Sequence, residues 1–139
     1  MNTPGRAFRA LGLPAYDGEA ARRAIRKGLP AATLRILATS LKMPVREQSA
    51  IFGLSAATLT RKAGARTRLR PEPSDRVFRV AATLALAQDV LEDRDRAVSW
   101  LREPNRELHG ERPLDLLDTE VGAREVERVL MRLEHGIYS

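Results

Sequence analysis

Apolar residues at spacings of three and four constrain the fold of this chain more than any other feature. Between Ser74 and Leu91 they form one continuous stripe, made of Val77, Val80, Ala81, Leu84, Ala87 and Leu91. No segment of the 139 residues shows the strict alternation of apolar and polar residues that indicates a half-buried strand. The sequence therefore predicts an all-α protein.

Capping and helix-breaking residues divide the rest of the chain into shorter helices. In the first half, helices are predicted at residues 19–27, 31–41, 44–52 and 56–63. In the second half, a helix is predicted from Asp93 or Asp95 through Leu101, one helical turn at residues 113–117, and a last helix after Thr119. Ser74 and Thr119 are the predicted N-caps of the two longest helices, because their hydroxyls can accept from free backbone N–H groups.

Two segments do not have a helical pattern. Residues 1–17, with Pro4, Gly5, Gly12 and Pro14, are predicted to be a flexible or loosely docked arm. Residues 64–73 contain glycine, threonine, two prolines and three arginines, and are predicted to be a linker. The predicted organisation is an arm at 1–17, one domain at 18–70 and a second at 71–139.

The first domain contains a helix-turn-helix pattern. A short helix ends at Gly53, which takes a left-handed conformation at little cost, and Ser55 can cap the next helix. The offsets of Ser49, Gly53, Leu54 and Leu59 resemble those of Xre-type repressors, while Gln48 and Lys62 stand where such motifs commonly have apolar residues.

The charge of the chain is divided between its two halves. Residues 1–70 have fourteen Lys and Arg against three Asp and Glu, a net of +11, whereas residues 71–139 have ten against fifteen, a net of −5. A basic helix-turn-helix half indicates DNA binding, although a solvated basic surface is an alternative. The hydroxyl and methyl groups of Ser55, Ala56 and Thr58 are predicted to face DNA bases. The predicted phosphate contacts are Arg61, Lys62, Arg66, Arg68 and Arg70.

Several function classes have little support in the sequence. The chain has no cysteine, and its two histidines, His109 and His135, are far apart. There is no phosphate-binding glycine loop, metalloprotease motif or defined acid pair. Neither a signal peptide nor a membrane span is predicted. We therefore expect a cytoplasmic protein that is not an enzyme and needs no cofactor or metal.

The C-terminal forty residues carry a series of motifs in a characteristic order. These are Trp100-Leu101, Pro104-Asn105, the run from Pro113 to Thr119, an amphipathic helix, and the end of the chain at His135-Gly136-Ile137-Tyr138-Ser139. From about Ser74 to its end the chain resembles the toxin-binding domain of the Xre/MbcA/ParS-type antitoxins, which belong to RES–Xre type II toxin–antitoxin modules.

The resemblance implies a toxin-binding site at this end of the chain. In that family the C-terminus enters the active site of an NAD-consuming RES-domain toxin. The resemblance therefore implies that the inserting residues of this chain are His135, Gly136, Ile137, Tyr138 and Ser139. Arg124, Arg128 and Arg132 lie four residues apart and form a basic ridge suited to an acidic rim. A terminus that only frays in solvent is the alternative.

Together these observations predict an antitoxin that blocks a RES-domain toxin and represses its own operon by binding operator DNA. Because helix-turn-helix proteins usually bind paired half-sites, we expect a homodimer within a larger antitoxin–toxin complex. One alternative is a transcription regulator whose C-terminal domain dimerises or senses a ligand. Another is an antitoxin that no longer binds DNA.

Overall fold

The computed structural model describes residues 3–62 and 66–136. Within them are eight α-helices: α1 (Thr3–Ala10), α2 (Gly18–Lys27), α3 (Ala32–Ser40), α4 (Val45–Phe52), α5 (Ala56–Lys62), α6 (Pro71–Leu91), α7 (Arg94–Arg102) and α8 (Glu120–His135). Short 3₁₀ segments at Arg106–Leu108 and Pro113–Asp118 join α7 to α8. The described residues form no β-strand, which confirms the all-α prediction.

Helix α6 is the central element of the fold. It contacts α1, α2, α3, α4, α7 and α8, and so belongs to the core of both halves of the chain. The predicted stripe is its buried side: Val77, Val80, Ala81, Leu84 and Ala87 are each at most 2% exposed, and Leu91 is half-buried. One hydrophobic core therefore runs through the described parts of both halves.

The start of α6 differs from the prediction. The helix begins at Pro71, whose missing N–H costs nothing in the first turn, rather than after Ser74. Ser74 is fully buried, and its hydroxyl accepts a hydrogen bond of 2.8 Å from the backbone N–H of Leu29. Ser74 is thus not an N-cap but a polar contact between α6 and the segment that follows α2.

The last part of the predicted linker is docked on the first half. Leu69 is buried, and its N–H donates to the carbonyl of Leu29 at 2.7 Å. The N–H of Ala31 donates to the carbonyl of Thr67 at 2.8 Å. These bonds hold the described residues that precede α6 in one position. The sequence did not indicate this docking, because the segment has no apolar periodicity.

The N-terminal segment is also docked, so the prediction of a flexible arm over residues 1–17 is wrong for the residues that carry α1. Ala7, Phe8 and Leu11 are at most 1% exposed and pack on α6. The ring of Phe8 lies 5.3 Å from that of Tyr16 and 5.1 Å from that of Phe78, and Arg6 forms an ion pair with Asp89. Glycine and proline in this stretch mark helix ends and turns rather than mobility.

The caps predicted for the last two helices of the second half are formed. The side chain of Asp93 accepts from the N–H of Arg96, and the hydroxyl of Thr119 accepts from the N–H of Gly122 at 3.0 Å. Val126, Val129 and Leu130 anchor α8 in the core, and Trp100 is half-buried against it. No helix among the described residues is long and apolar enough to cross a membrane.

We expect Phe8→Ala to lower the free energy of unfolding by roughly 3 to 5 kcal/mol, because it removes a buried ring from between α1 and α6. The measurement is chemical denaturation of the full chain. Arg9→Ala is the control, since Arg9 is exposed, and it should change stability by no more than about 0.5 kcal/mol. A Phe8→Ala protein as stable as the control would mean that α1 is not part of the core.

Candidate functional site

The helix-turn-helix is built from α4, the turn at Gly53 and α5. Gly53 ends α4 with a left-handed φ of 69°, and the hydroxyl of Ser49 donates to the carbonyl of Leu54 across the turn at 2.5 Å. The hydroxyl of Ser55 accepts from the N–H of Thr58 at 3.1 Å and so caps α5. Phe52 and Leu59 bury the inner side of the two helices. These contacts fix the angle between α4 and α5, as expected for the turn of a helix-turn-helix.

The two residues that depart from the usual pattern are accommodated by hydrogen bonds. The side-chain amide of Gln48 donates to the carbonyl of Met43 at 2.9 Å. The ammonium group of Lys62 donates to the carbonyl of Arg68 at 3.3 Å, which keeps its charge at the surface. Polar side chains therefore replace apolar ones here without leaving an unsatisfied buried group.

The predicted DNA contacts lie close together on and after α5. Ser55, Ala56, Arg61, Arg66 and Arg68 are exposed, whereas Thr58 and Lys62 are half-buried. Arg68 and Lys62 are engaged within the protein, since Arg68 donates to the carbonyl of Gly28 at 2.9 Å. Among these basic side chains, Arg61 has only a long contact of 3.5 Å to the hydroxyl of Thr58. Arg61 and the exposed Arg66 are thus better placed to reach a phosphate than Lys62 and Arg68.

Arginines of the second half hold α4 at both ends. At its start, Arg102 binds the carboxylate of Glu47 through two bonds of 2.7 and 3.1 Å, and Arg112 adds a third of 3.1 Å. At its end, Arg76 donates to the carbonyl of Ile51 at 3.5 Å and lies against Gly53, where a Cβ would come within 2.8 Å of the guanidinium. The second half therefore fixes the position of the helix-turn-helix.

The carboxylate of Glu47 is the centre of this network. Hydrogen bonding from Arg102 lowers the pKa of Glu47 below its ordinary value of 4.5 against the opposing effect of burial, and Arg112 lowers the same pKa further. Asp115, and then Glu47, raise the pKa of Arg112 above its ordinary value, in spite of burial. Glu47 and Arg112 thus both stay charged at neutral pH.

Sequence reasoning did not find this network. Glu47 is separated by 55 residues from Arg102 and by 65 from Arg112. No local pattern links an acidic residue in the first turn of a short helix to two arginines so far along the chain. The only available signal is that Glu47 is one of three acidic residues among the first seventy.

The predicted toxin-binding side chains lie along the exposed side and the end of α8. Arg124 binds Glu120 at 3.0 Å, and Arg132 binds Glu107 of the preceding 3₁₀ segment at 2.9 Å. Arg128 is exposed and has no ion-pair partner among the described residues. The ridge therefore presents one unpaired guanidinium between two paired ones.

Helix α8 ends in a capped turn close to the end of the chain. His135 is its last residue and is exposed, and Gly136 follows with a left-handed φ of 64°. The N–H of Gly136 bonds to carbonyls of the last turn, which satisfies acceptors that would otherwise be free. Ile137, Tyr138 and Ser139, which the sequence assigns to toxin insertion, lie outside the described residues.

Both halves of this arrangement match known protein families. Residues 20–82 match the antitoxin Xre-like helix-turn-helix domain, and residues 86–136 match the antitoxin Xre/MbcA/ParS C-terminal toxin-binding domain. The chain is 32% identical to an antitoxin Xre of Yersinia enterocolitica over 95% of its own length and 90% of that protein. The chain belongs to the Xre/MbcA/ParS family of antitoxins.

This antitoxin has further relatives of similar size. It is 28% identical to the Prs ADP-ribosylating antitoxin of Sphingobium sp., with 100% of this chain and 98% of that protein covered. It also resembles a chain in the crystal structure of the M. tuberculosis MbcT-MbcA toxin–antitoxin complex, with a TM-score of 0.54 and 25% identity. That match covers 78% of this antitoxin and 96% of the other chain. The resemblance seen in the sequence is confirmed, and with it the function of an antitoxin that has a toxin partner.

We expect Glu47→Gln to destabilise the antitoxin by roughly 2 kcal/mol at pH 7, because it removes a charged acceptor of several hydrogen bonds. The folded-state pKa of Glu47 is lowered, so its stabilising effect is complete above the ordinary value of 4.5 and is lost as the pH falls through the folded-state pKa. Denaturation between about pH 7 and pH 3 should therefore show a smaller loss of stability for the variant than for the unaltered chain.

The control for this variant is Glu103→Gln. Glu103 is exposed and forms no ion pair among the described residues, so its substitution should change stability by no more than about 0.5 kcal/mol. Equal stabilities of the two variants at pH 7 would contradict a structural role for Glu47.

Proposed function

We propose that this antitoxin neutralises an NAD-consuming RES-domain toxin by placing its C-terminus in the toxin active site. In this proposal residues 71–139 provide the toxin-binding domain, and the inserted residues are His135, Gly136, Ile137, Tyr138 and Ser139. The antitoxin acts by binding, in a fixed ratio to the toxin, and not as an enzyme. The observation that carries the proposal is the capped end of α8 at Gly136, directly before Ile137, Tyr138 and Ser139.

The anchoring of α8 supports the insertion. Its sixteen residues make a rod of about 24 Å, and Val126, Val129 and Leu130 hold that rod in the core. A helix fixed in this way has a defined direction up to its cap at Gly136. Three residues in extended conformation can reach about 10 Å beyond the helix, which is enough to enter a small-molecule pocket.

The chemistry of the tail suits a pocket that binds NAD. The terminal carboxylate is an anion, and groups that bind the diphosphate of NAD can bind it through charge-assisted hydrogen bonds. Tyr138 offers an aromatic ring where a base would stack, and a hydroxyl. The exposed, unpaired Arg128 on the ridge is available to an acidic rim around that pocket.

One relative supports the choice of an NAD-dependent toxin. The name of the Sphingobium antitoxin refers to ADP-ribosylation of Prs. ADP-ribosylation takes its ADP-ribose from NAD, so a toxin with such an activity has an NAD pocket that a tail can block. Hydrolysis of NAD is the alternative reaction for the toxin of this chain, and it would use the same pocket.

We further propose that the helix-turn-helix in residues 18–70 binds operator DNA and represses the antitoxin's own operon. Helix α5 would lie in the major groove with Ser55, Ala56 and Thr58 towards the bases, and Arg61, Lys62, Arg66 and Arg68 would face phosphates. The net charge of +11 over residues 1–70 supports this role. A homodimer on two half-sites, in a cytoplasmic complex with the toxin, is part of the proposal.

The first test is the rate of NAD loss catalysed by the RES-type protein encoded beside this gene. It is measured alone, with the full antitoxin, and with an antitoxin that ends at Gly136. The full chain should stop NAD loss, whereas the shortened chain should bind the toxin and inhibit at least about 100-fold less well, roughly 3 kcal/mol. Both chains should unfold at the same denaturant concentration, because the shortened chain retains the cap of α8.

Equal inhibition by the two chains would contradict insertion of the tail. If neither chain binds this toxin, the partner of the antitoxin is not a RES-domain toxin.

The second test is binding of the antitoxin to its own promoter fragment at several salt concentrations. Arg61→Ala should lower the affinity by about tenfold and reduce the slope of log affinity against log salt by about 1, as expected for one lost phosphate contact. The control is Arg96→Ala, which removes the same charge from an exposed position on α7. Absence of binding by the unaltered chain at about 50 mM salt would contradict the repressor role and favour an antitoxin without DNA binding.

A further inference from the structure

A groove runs between α6 and α8 on the side of the antitoxin formed by its second half. It has a volume of about 460 Å³. Its walls are the outward sides of the two helices, with Asp75, Phe78, Arg79, Ala82, Thr83 and Leu86 on α6 and Glu120, Ala123, Arg124, Glu127 and Met131 on α8. On each helix these residues span twelve positions, or about 16 Å of axis. The groove is therefore long enough for four or five residues of another chain.

The floor of the groove is apolar and held in place. Phe78, Ala82, Leu86 and Ala123 are half-buried and pack against the core without being covered, and Met131 lines the same groove and is also half-buried. The ring of Phe78 is supported from behind by Phe8 of α1 at 5.1 Å. Apolar surface on a rigid floor, with a polar rim, is typical of a binding surface for a partner protein.

The charged residues on the rim of the groove include one carboxylate without an ion-pair partner among the described residues. Arg79 lies 3.5 Å from both Asp75 and Glu120, and Arg124 lies 3.0 Å from Glu120. Glu127 is exposed and has no ion-pair partner among the described residues. Three carboxylates against two guanidinium groups give the rim a net charge of −1. This sign disfavours DNA and favours a segment with apolar side chains next to Lys or Arg.

The position of the groove indicates which partner occupies it. All of its α8 residues, and Leu86, lie in the segment that matches the toxin-binding domain. Met131 is four residues, or about 6 Å of helix, from His135, where the proposed inserting residues begin. A toxin that receives the tail is therefore brought alongside the groove.

We infer that the α6–α8 groove binds an apolar segment of the toxin that carries Lys or Arg beside Glu127, as a contact separate from the tail. This inference rests on the proposed function. The groove provides affinity and alignment, while the tail blocks the active site. The two contacts together make binding bivalent within one complex, so loss of either one weakens the complex without abolishing it.

The test uses two groove variants of the full chain and two controls outside the groove. Ala123→Trp fills the groove, and Glu127→Lys reverses the unpaired charge of its rim. Ala20→Trp, on the exposed side of α2, and Glu103→Lys, on an exposed carboxylate without an ion pair, make the same chemical changes elsewhere. The affinity for the RES-type toxin is measured by calorimetry, and self-association of each antitoxin by sedimentation.

The groove variants should bind the toxin at least about tenfold more weakly, and the controls should bind within about twofold of the unaltered chain. The defect of Glu127→Lys should shrink at high salt, because exposed charges are screened. Glu127 is exposed, so its variant gives an answer even if Ala123→Trp does not fold.

Unchanged toxin affinity in the groove variants would overturn the inference and leave the proposed function intact. The same holds if they lose self-association alone, because the groove would then bind a second antitoxin. Absence of toxin binding by the unaltered chain would reject the proposed function and this inference together.

Discussion

Burial of the apolar side of α6 is the constraint on which the rest of this antitoxin depends. Val77, Val80, Ala81, Leu84 and Ala87 face helices from both halves, so neither half has a complete core without it. Domains of about 60 residues bury only about 60% of the surface of their unfolded chain and are marginally stable alone. Sharing one long helix solves this problem, because the surface that α6 buries serves the helix-turn-helix and the toxin-binding domain at the same time.

Polar contacts then fix how the two halves face each other. Apolar packing is non-directional, and it leaves the orientation of a short helix such as α4 poorly determined. The bonds of Glu47 to Arg102 and Arg112, and of Arg76 to the carbonyl of Ile51, have fixed directions and hold α4 at both ends. The helix-turn-helix therefore owes its position to arginines of the toxin-binding half.

This arrangement places two candidate surfaces of opposite character on one rigid body. The surface around α5 is basic and is supported from below by Leu59 and Phe52. The surface along α8 combines an arginine ridge, a capped helix end and an apolar groove with an acidic rim. Nucleic acid suits the first surface and a folded protein the second, so one short chain has room for both roles of an antitoxin.

The sequence by itself determined seven of the eight described helices and most of the predicted caps, because helix periodicity and capping are local. The stripe on α6, the turn at Gly53, and the caps at Ser55, Asp93 and Thr119 depend on residues within a few positions of each other. The forty C-terminal residues were also enough to identify the family. Local patterns gave the wrong prediction where a contact with a distant residue determines the structure. Ser74 binds Leu29 instead of capping a helix, and α1 packs on α6 instead of remaining free. Only the tertiary structure brought Glu47 to Arg102 and Arg112 and formed the α6–α8 groove, because side chains more than thirty residues apart meet only after the helices between them have packed.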